Sequence, residues 1–192
     1  IQGKLVPQLE EEPAVEIEGI APEEAPFAIP KKWKWVRLGQ AIQLISGRDL
    51  VSNQILTTEA GIPYITGASQ IDLENIIINR WTNSPSVISK KNDVLIVCKG
   101  SGVGKLAINN FGDVHIARQI MSLRPLKYMI STKFLFVIMQ LKSKQIAKNA
   151  KGIIPGFSRK DILDCVISLP PLAEQQRIVE RLQQLLKHVD SL

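Results

Sequence analysis

A chain of 192 residues is long enough for one medium domain with appendages and a buried core, and a hydrophobic content of 45% excludes intrinsic disorder. Aromatic residues make up only 5%, which argues against a single-strand reader built on rows of stacked rings. The net charge of +6 hides an asymmetry: Glu10, Glu11, Glu12, Glu16, Glu18, Glu23 and Glu24 lie in one stretch without Lys or Arg, leaving 24 cations against 11 acids, a net of +13, for the remainder. An excess of that size fits either a polyanionic partner or a solubilising surface.

In chain order, Ile1 to Leu9 reads as the end of an element whose body lies upstream, and the start at Ile1 rather than Met points the same way. Residues 10–30, rich in Glu, Pro and Ala, predict an extended, solvated connector. Trp33 to Val36 alternates like a short strand, and Leu38 to Leu44 fits a helical turn or two. Strands are expected at Pro63 to Thr66, at Leu106 to Ile108 and at Ile120 to Leu123, the last stopped by Pro125. Val94 to Cys98, continuously apolar, predicts a strand buried on both faces.

Ser131 is placed to cap a helix running to about Lys151, with Phe134, Leu135, Ile138, Leu141 and Ile146 as its apolar stripe. Gly152 to Gly156 breaks that helix, and Ser158 to Asp161 opens a short one with a capping box. A strand at Val166 to Leu169 precedes Pro170-Pro171 and the final helix. There Ile178, Leu182, Leu185, Val189 and Leu192 alternate four and three apart, with Val179 and Leu186 widening the seam. That stripe fits a second helix, or the helix's own domain. The fold class is α+β: a domain of mostly short strands followed by a long C-terminal helix of coiled-coil type. The expected divisions are residues 1–30, 31–168 and 169–192.

Few constellations point to chemistry. Cys98 and Cys165 lie among apolar neighbours as small core residues of a reducing compartment, and with His115 and His188 they form no zinc pattern, so no metal site is expected. No apolar run is long enough to span a bilayer and no signal peptide is apparent, so a cytoplasmic protein away from the membrane is expected. Cys98-Lys99-Gly100-Ser101-Gly102-Val103-Gly104-Lys105 imitates a phosphate-binding loop, but Lys99 stands where the first glycine is needed and Leu106 where the magnesium-holding Ser/Thr is needed. What remains is a glycine-rich hairpin flanked by two cations, able to approach a phosphate closely.

His115 beside Arg118 and Gln119 lacks a carboxylate or nucleophile partner and reads as structural, while Asp72, Glu74, Asp93 and Asp113 form no acid–base pair. No catalytic residue is expected. Candidate DNA contacts are Arg48, Ser69, Gln70, Arg80, Lys99, Ser101, Lys105, Lys151, Arg159 and Lys160, with Asn79 and Asn83 as further polar loop residues. Leu172, Ile178, Leu182, Leu185, Val189 and Leu192 are the candidate helix-packing residues.

Three stretches together resemble the specificity subunit of type I restriction–modification enzymes. They are Gln2-Gly3-Lys4-Leu5-Val6-Pro7-Gln8 with Ile29-Pro30-Lys31-Lys32-Trp33 to Gly39, then Gly61-Ile62-Pro63-Tyr64-Ile65 with Asp93-Val94-Leu95-Ile96 and Gly100 to Gly104, and finally Gly156-Phe157-Ser158-Arg159-Lys160-Asp161-Ile162 with Leu169-Pro170-Pro171-Leu172-Ala173-Glu174-Gln175-Gln176-Arg177-Ile178-Val179. The resemblance implies a target recognition domain of mixed α/β fold joined to a long spacer helix, which packs antiparallel on a second such helix and docks methyltransferase subunits. It implies double-stranded DNA as ligand, a second half-subunit or recognition domain as helix partner, and a non-catalytic role. S-adenosylmethionine, ATP and Mg are then expected only on the methyltransferase and restriction subunits. A full subunit has two such units. This chain has one, and is expected to be a half-subunit that dimerises or a fragment of a longer chain. Two other classes stay open: a nucleotide-binding enzyme using Gly100 to Lys105, and an adaptor acting through the C-terminal helix without touching DNA.

Overall fold

A computed structural model describes residues 2–100, 102–149 and 156–189. In chain order the strands are β1 (Lys34–Arg37), β2 (Ile42–Ser46), β3 (Ile62–Ile65), β4 (Ile71–Asp72), β5 (Asn75–Ile76), β6 (Trp81–Thr82), β7 (Ile88–Ser89), β8 (Val94–Val97), β9 (Leu106–Ile108), β10 (Val114–Ile116), β11 (Ile120–Pro125) and β12 (Val166–Leu169). The α-helices are α1 (Thr132–Asn149), α2 (Arg159–Leu163) and α3 (Leu172–Val189).

The expected buried strand organises the layers. β8 lies inside a four-stranded antiparallel sheet of order β2-β11-β8-β9. Its side chains alternate between faces, so Val94 and Ile96 pack into the core shared with α1 and α3, while Leu95 packs against Ile65, Val114 and Ile116 of a second sheet. Both faces are therefore covered, which explains an unbroken apolar run instead of an apolar–polar alternation. The second sheet has the order β6-β3-β10-β7, with β3 and β10 parallel. β1 pairs antiparallel with β12, closing the start of the domain on its end.

Local signals set the helix starts. Ser131 Oγ accepts from Phe134 N at 3.3 Å. Ser158 Oγ accepts from Asp161 N at 3.2 Å, and Asp161 Oδ2 accepts from Ser158 N at 2.7 Å, the reciprocal box its spacing predicts. Along α1, Phe134, Leu135 and Ile138 are buried, but Leu141 is exposed. The expected helix over Leu38–Leu44 is instead a single 3-10 turn, Leu38–Gln40, followed by β2. There Ile42 and Leu44 are worth more as one apolar face of the sheet than as part of a helix.

The N-terminal stretch departs most from expectation. Residues 2–9 contain no helix, and the acidic stretch is extended but docked on the domain instead of solvated. Leu5, Val6, Val15, Ile17 and Ile29 pack against the main core. Lys32 Nζ donates to the carbonyls of Leu9, Glu10 and Glu12, each at 2.7 Å, while Val15 N bonds Lys32 O and Ile20 N bonds Trp35 O. Scattered apolar side chains and one ammonium collecting three carbonyls outweigh the Pro/Glu composition.

The first turn of α3 is fixed by buried polar side chains. Glu174, which the sequence offers only as a partner for the helix dipole, accepts from Trp33 Nε1 at 2.8 Å and from Gln8 Nε2. Gln175 accepts from Ser131 N at 2.8 Å and donates to Met129 O at 2.9 Å and Pro170 O at 3.0 Å. Arg177 pairs with the buried Glu12 and donates to Pro7 O. Ile178 and Val179 complete the anchor in the main core.

Because Gln175 is fully buried, its replacement leaves three backbone groups without partners. We expect Gln175→Ala to destabilise the domain by about 2–3 kcal/mol, read as a lower midpoint of urea unfolding. An unchanged midpoint would contradict the anchor.

Candidate nucleic-acid interface

Strand directions gather four loops at one edge. β3 and β10 are parallel, β2 and β8 are both antiparallel to β11, and a tight turn, Ile120 N to Ala117 O at 2.9 Å, leads from β10 into β11. The C-terminal ends of β2, β3, β8 and β10 must therefore converge. The loops that follow them are bonded to each other: Gly47 N to Ile120 O, Arg48 N to Ile116 O, and Cys98 N to Gln119 O. Phe157 N donates to Cys98 O, so the segment leading into α2 joins the same edge.

Two glycines permit this crowding. A Cβ on Gly47 would stand 2.0 Å from Ala117 O, and one on Gly102 would stand 2.1 Å from the Ala68 Cβ. Neither neighbour is a flexible side chain that can swing aside.

Several cations are carried to this edge. Arg48, Lys99 and Arg118 are exposed. Lys105 is also exposed, but its Nζ donates to Ala68 O at 3.3 Å and Ile71 O at 2.9 Å, tying the β8–β9 hairpin to the loop after β3. Arg159 folds back on β2, donating to Ser46 Oγ at 2.8 Å and Leu44 O at 3.3 Å. Asp49 accepts from the Arg118 backbone N at 3.0 Å and pairs with Arg118 Nε at 2.8 Å.

Beneath the loops, His115 is buried and structural, as its surroundings in the sequence predict. Its Nδ1 faces the N–H groups of Ser86 and Val87, both at 3.3 Å, and its Nε2 lies 2.8 Å from Arg48 O. Two donors on one nitrogen and a carbonyl on the other select the neutral ring with its proton on Nε2. Burial lowers the His115 pKa below its usual 6.5, against the smaller opposing effects of these backbone bonds and the Asp49 charge. Burial likewise raises the neighbouring Tyr64 phenol, which accepts from Leu50 N and lies within reach of the Arg80 charge.

The family model described as "Type I restriction modification DNA specificity domain" matches residues 30–192. The chain belongs to this family. Among curated relatives, the chain is 28% identical over 165 residues to the type I restriction enzyme EcoDI specificity subunit of Escherichia coli, covering 85% of this chain and 33% of that one. It is 26% identical over 153 residues to the MjaVIII specificity subunit of Methanocaldococcus jannaschii, covering 79% and 35%. The chain thus spans about a third of the length of these relatives.

Among solved structures, the HsdS subunit from Thermoanaerobacter tengcongensis superposes with a TM-score of 0.77 at 26% identity, over 86% of this chain and 40% of that one. A chain from a structure of complex assembly and conformational transition of the type I R-M system gives 0.78 at 26% identity, over 86% and 41%.

Seen on this specificity-domain fold, the sequence candidates divide. Arg48, Lys99, Lys105 and Arg159 come together at the loop edge, with exposed Ser69 beside Ala68 and exposed Lys160, which pairs with Asp164, just beyond. Arg80 is exposed on the flank, where its carbonyl accepts from Tyr64 N. Gln70 is a correction: it is buried, its Oε1 accepts from Thr66 N and Thr66 Oγ1, and its Nε2 donates to Tyr64 O and Ile77 O, so no edge is left for a base. Ser101, Lys151 and Leu192 lie outside the described residues.

Of the helix-packing candidates, Ile178 is buried in its own domain's core, and Leu182 packs partly against that core. Leu172 and Leu185 are partly exposed, at 37% and 40%, and the described part of α3 runs to Val189. Leu182 and Leu186 line a groove of about 850 Å³ with Leu5, Phe136, Val137 and Leu141.

The nucleotide-binding alternative loses its geometry here. Gly100 to Lys105 links antiparallel strands β8 and β9, with no helix to receive a phosphate. Asp93 is not catalytic material either. It is buried and accepts from Ser122 Oγ, Lys90 N and Arg124.

The loop edge also holds exposed Arg118 and Gln119, which are not among the sequence candidates. Their signal is a polar pair between Ile116-Ala117 and Ile120-Met121, the mark of a tip joining two short, largely apolar strands.

Because the fold disfavours a charged His115, the unfolded chain takes up a proton first as the pH falls below 6.5. The contribution of His115 to stability should be complete above that value and decline below it. Unfolding free energies between pH 7 and 5.5 should fall less steeply in His115→Gln than in the parent chain. Equal slopes would assign the dependence to other groups.

Proposed function

We propose that this chain is a DNA-reading unit of a type I restriction–modification specificity subunit, binding one half of a bipartite duplex target through the edge formed by the loops after β2, β3, β8 and β10. The convergence of those loops, with exposed Arg48, Lys99 and Arg118 on a chain otherwise rich in positive charge, is the observation that carries this reading. Exposed cations such as Arg48 and Lys99 engage phosphates and place the domain, while the loop tips reach base edges. The chain does no bond-making of its own. Methyl transfer with S-adenosylmethionine, and ATP- and Mg-dependent cleavage, belong to methyltransferase and restriction subunits.

The spacer role of α3 rests on how the chain enters and leaves the domain. Gln8 meets Glu174, Pro7 meets Arg177, and Leu5 lies with Leu182 and Leu186, so residues 8 back to 5 run alongside α3 in the opposite sense. An antiparallel helix continuing that path would cover Leu141, Leu185 and Leu186, which are now exposed. The helix pair would set the gap between two half-sites and dock the methyltransferase subunits.

Mapping modified bases in cells carrying the complete system tests the central assignment: a bipartite motif is expected, and modification without any motif would contradict it. Within the assembled complex, Lys99→Ala should weaken binding to all duplexes alike and flatten the log–log salt dependence by about 0.9, one phosphate contact. A change of preferred sequence in this variant would instead make Lys99 a base reader.

A further inference from the structure

Arg118 is held unlike the other cations of the loop edge. It sits at the tip of the turn between β10 and β11, and a single carboxylate grips it twice. Asp49 Oδ1 accepts from the Arg118 backbone N at 3.0 Å, and Asp49 Oδ2 pairs with Arg118 Nε at 2.8 Å. Asp49 is fixed in turn, because Arg48 N donates to Ile116 O and Leu50 N to the Tyr64 hydroxyl. Even so, the Arg118 side chain is 72% exposed, and its two Nη amines make no hydrogen bond among the described residues.

The grip on Nε has a chemical consequence. The ion pair holds the guanidinium beside Asp49 and leaves the Nη1/Nη2 end of the fork presented to solvent. Two parallel N–H donors match the adjacent O6 and N7 acceptors of guanine in the major groove. Adenine offers a donor beside its N7 and thymine a single acceptor, so neither satisfies both. A phosphate also accepts a fork. However, a carboxylate bonded to the same arginine cancels most of its long-range attraction for the backbone and repels a nearby phosphate. Fixing the direction of the fork at the expense of its net charge suits a base edge, where geometry decides, better than a phosphate, where charge decides.

Building on the DNA-reading assignment, we propose that Arg118, oriented by Asp49, is a specificity-determining residue that reads a guanine in the half-site bound by this chain. Arg48 and Lys99 flank it as backbone contacts, and Gln119 shares its tip.

The test uses the complete specificity subunit assembled with its methyltransferase subunits, comparing modification motifs and duplex competition for the parent, Arg118→Ala, Arg118→Gln and Asp49→Asn. The parent motif should contain a G·C pair at which Arg118→Ala loses about tenfold or more in discrimination while the other positions hold. Asp49→Asn should blur the same position, and Arg118→Gln should shift it towards adenine. Uniform weakening across all sequences in Arg118→Ala would make Arg118 a phosphate contact and overturn the proposal. So would an unchanged motif, or a loss confined to an A·T position. If the parent itself shows no motif, the DNA-reading assignment falls as well, which separates the two failures.

Discussion

The geometry of this protein depends on the buried polar anchor at the first turn of α3. Glu174 and Gln175 are placed by the helix start after Pro170-Pro171, and between them they engage Trp33, Gln8, Ser131 N, Met129 O and Pro170 O. A helix held only by its apolar stripe can slide or roll on a core, because dispersion contacts are non-directional. Hydrogen bonds to fixed backbone groups are directional, and inside a core they are costly to leave unmade. The anchor therefore fixes both the angle and the register of α3. Any spacing function of that helix inherits its accuracy from these side chains.

The loop edge depends on a different constraint, the direction of short strands. Among the described residues no strand exceeds six residues, so none supplies much stability alone, and the sheets hold because β8 is buried on both faces. With β2 and β8 parallel to each other across β11, and β3 parallel to β10, their following loops have nowhere else to go. The scaffold side chains Gln70 and His115 are consumed in holding those loops from beneath, while Asp93 ties the start of β8 to Arg124 at the opposite end of the sheet. Exposed residues at the tips are left free to differ without disturbing the fold.

What was legible in the sequence was local. The apolar run of β8, the Ser131 cap and the Ser158–Asp161 box each carry their signal within a few residues, and each forms as expected. Features that depend on distant partners are less legible. Nothing near Gln70 shows that Thr66, Tyr64 and Ile77 will surround it, and nothing near Glu174 shows that Trp33 will reach it from 141 positions away. The strand β10 is three residues long and owes its existence to β3 and β7, which bracket it. The acidic stretch misleads through composition, since six of its seven glutamates describe its solvent face while buried Glu12, Val15, Ile17 and Lys32 decide that it docks. Even the seam of α3 was half legible: its spacing announces a packing face, but only the fold divides it between the domain's own core at Ile178 and an open groove at Leu186.

In the proposed assembly, DNA lies against the loop edge and helices against the α1–α3 groove. Backbone hydrogen exchange on the assembled complex, with and without its modified-motif duplex, separates the two surfaces in one measurement. DNA-dependent protection is expected at residues 47–49, 98–100 and 117–119, with the α3 amides near Leu182 and Leu186 already protected by the assembly and unchanged by DNA. Protection by DNA confined to the α1–α3 groove, with the loops after β2, β8 and β10 exchanging as before, would contradict it.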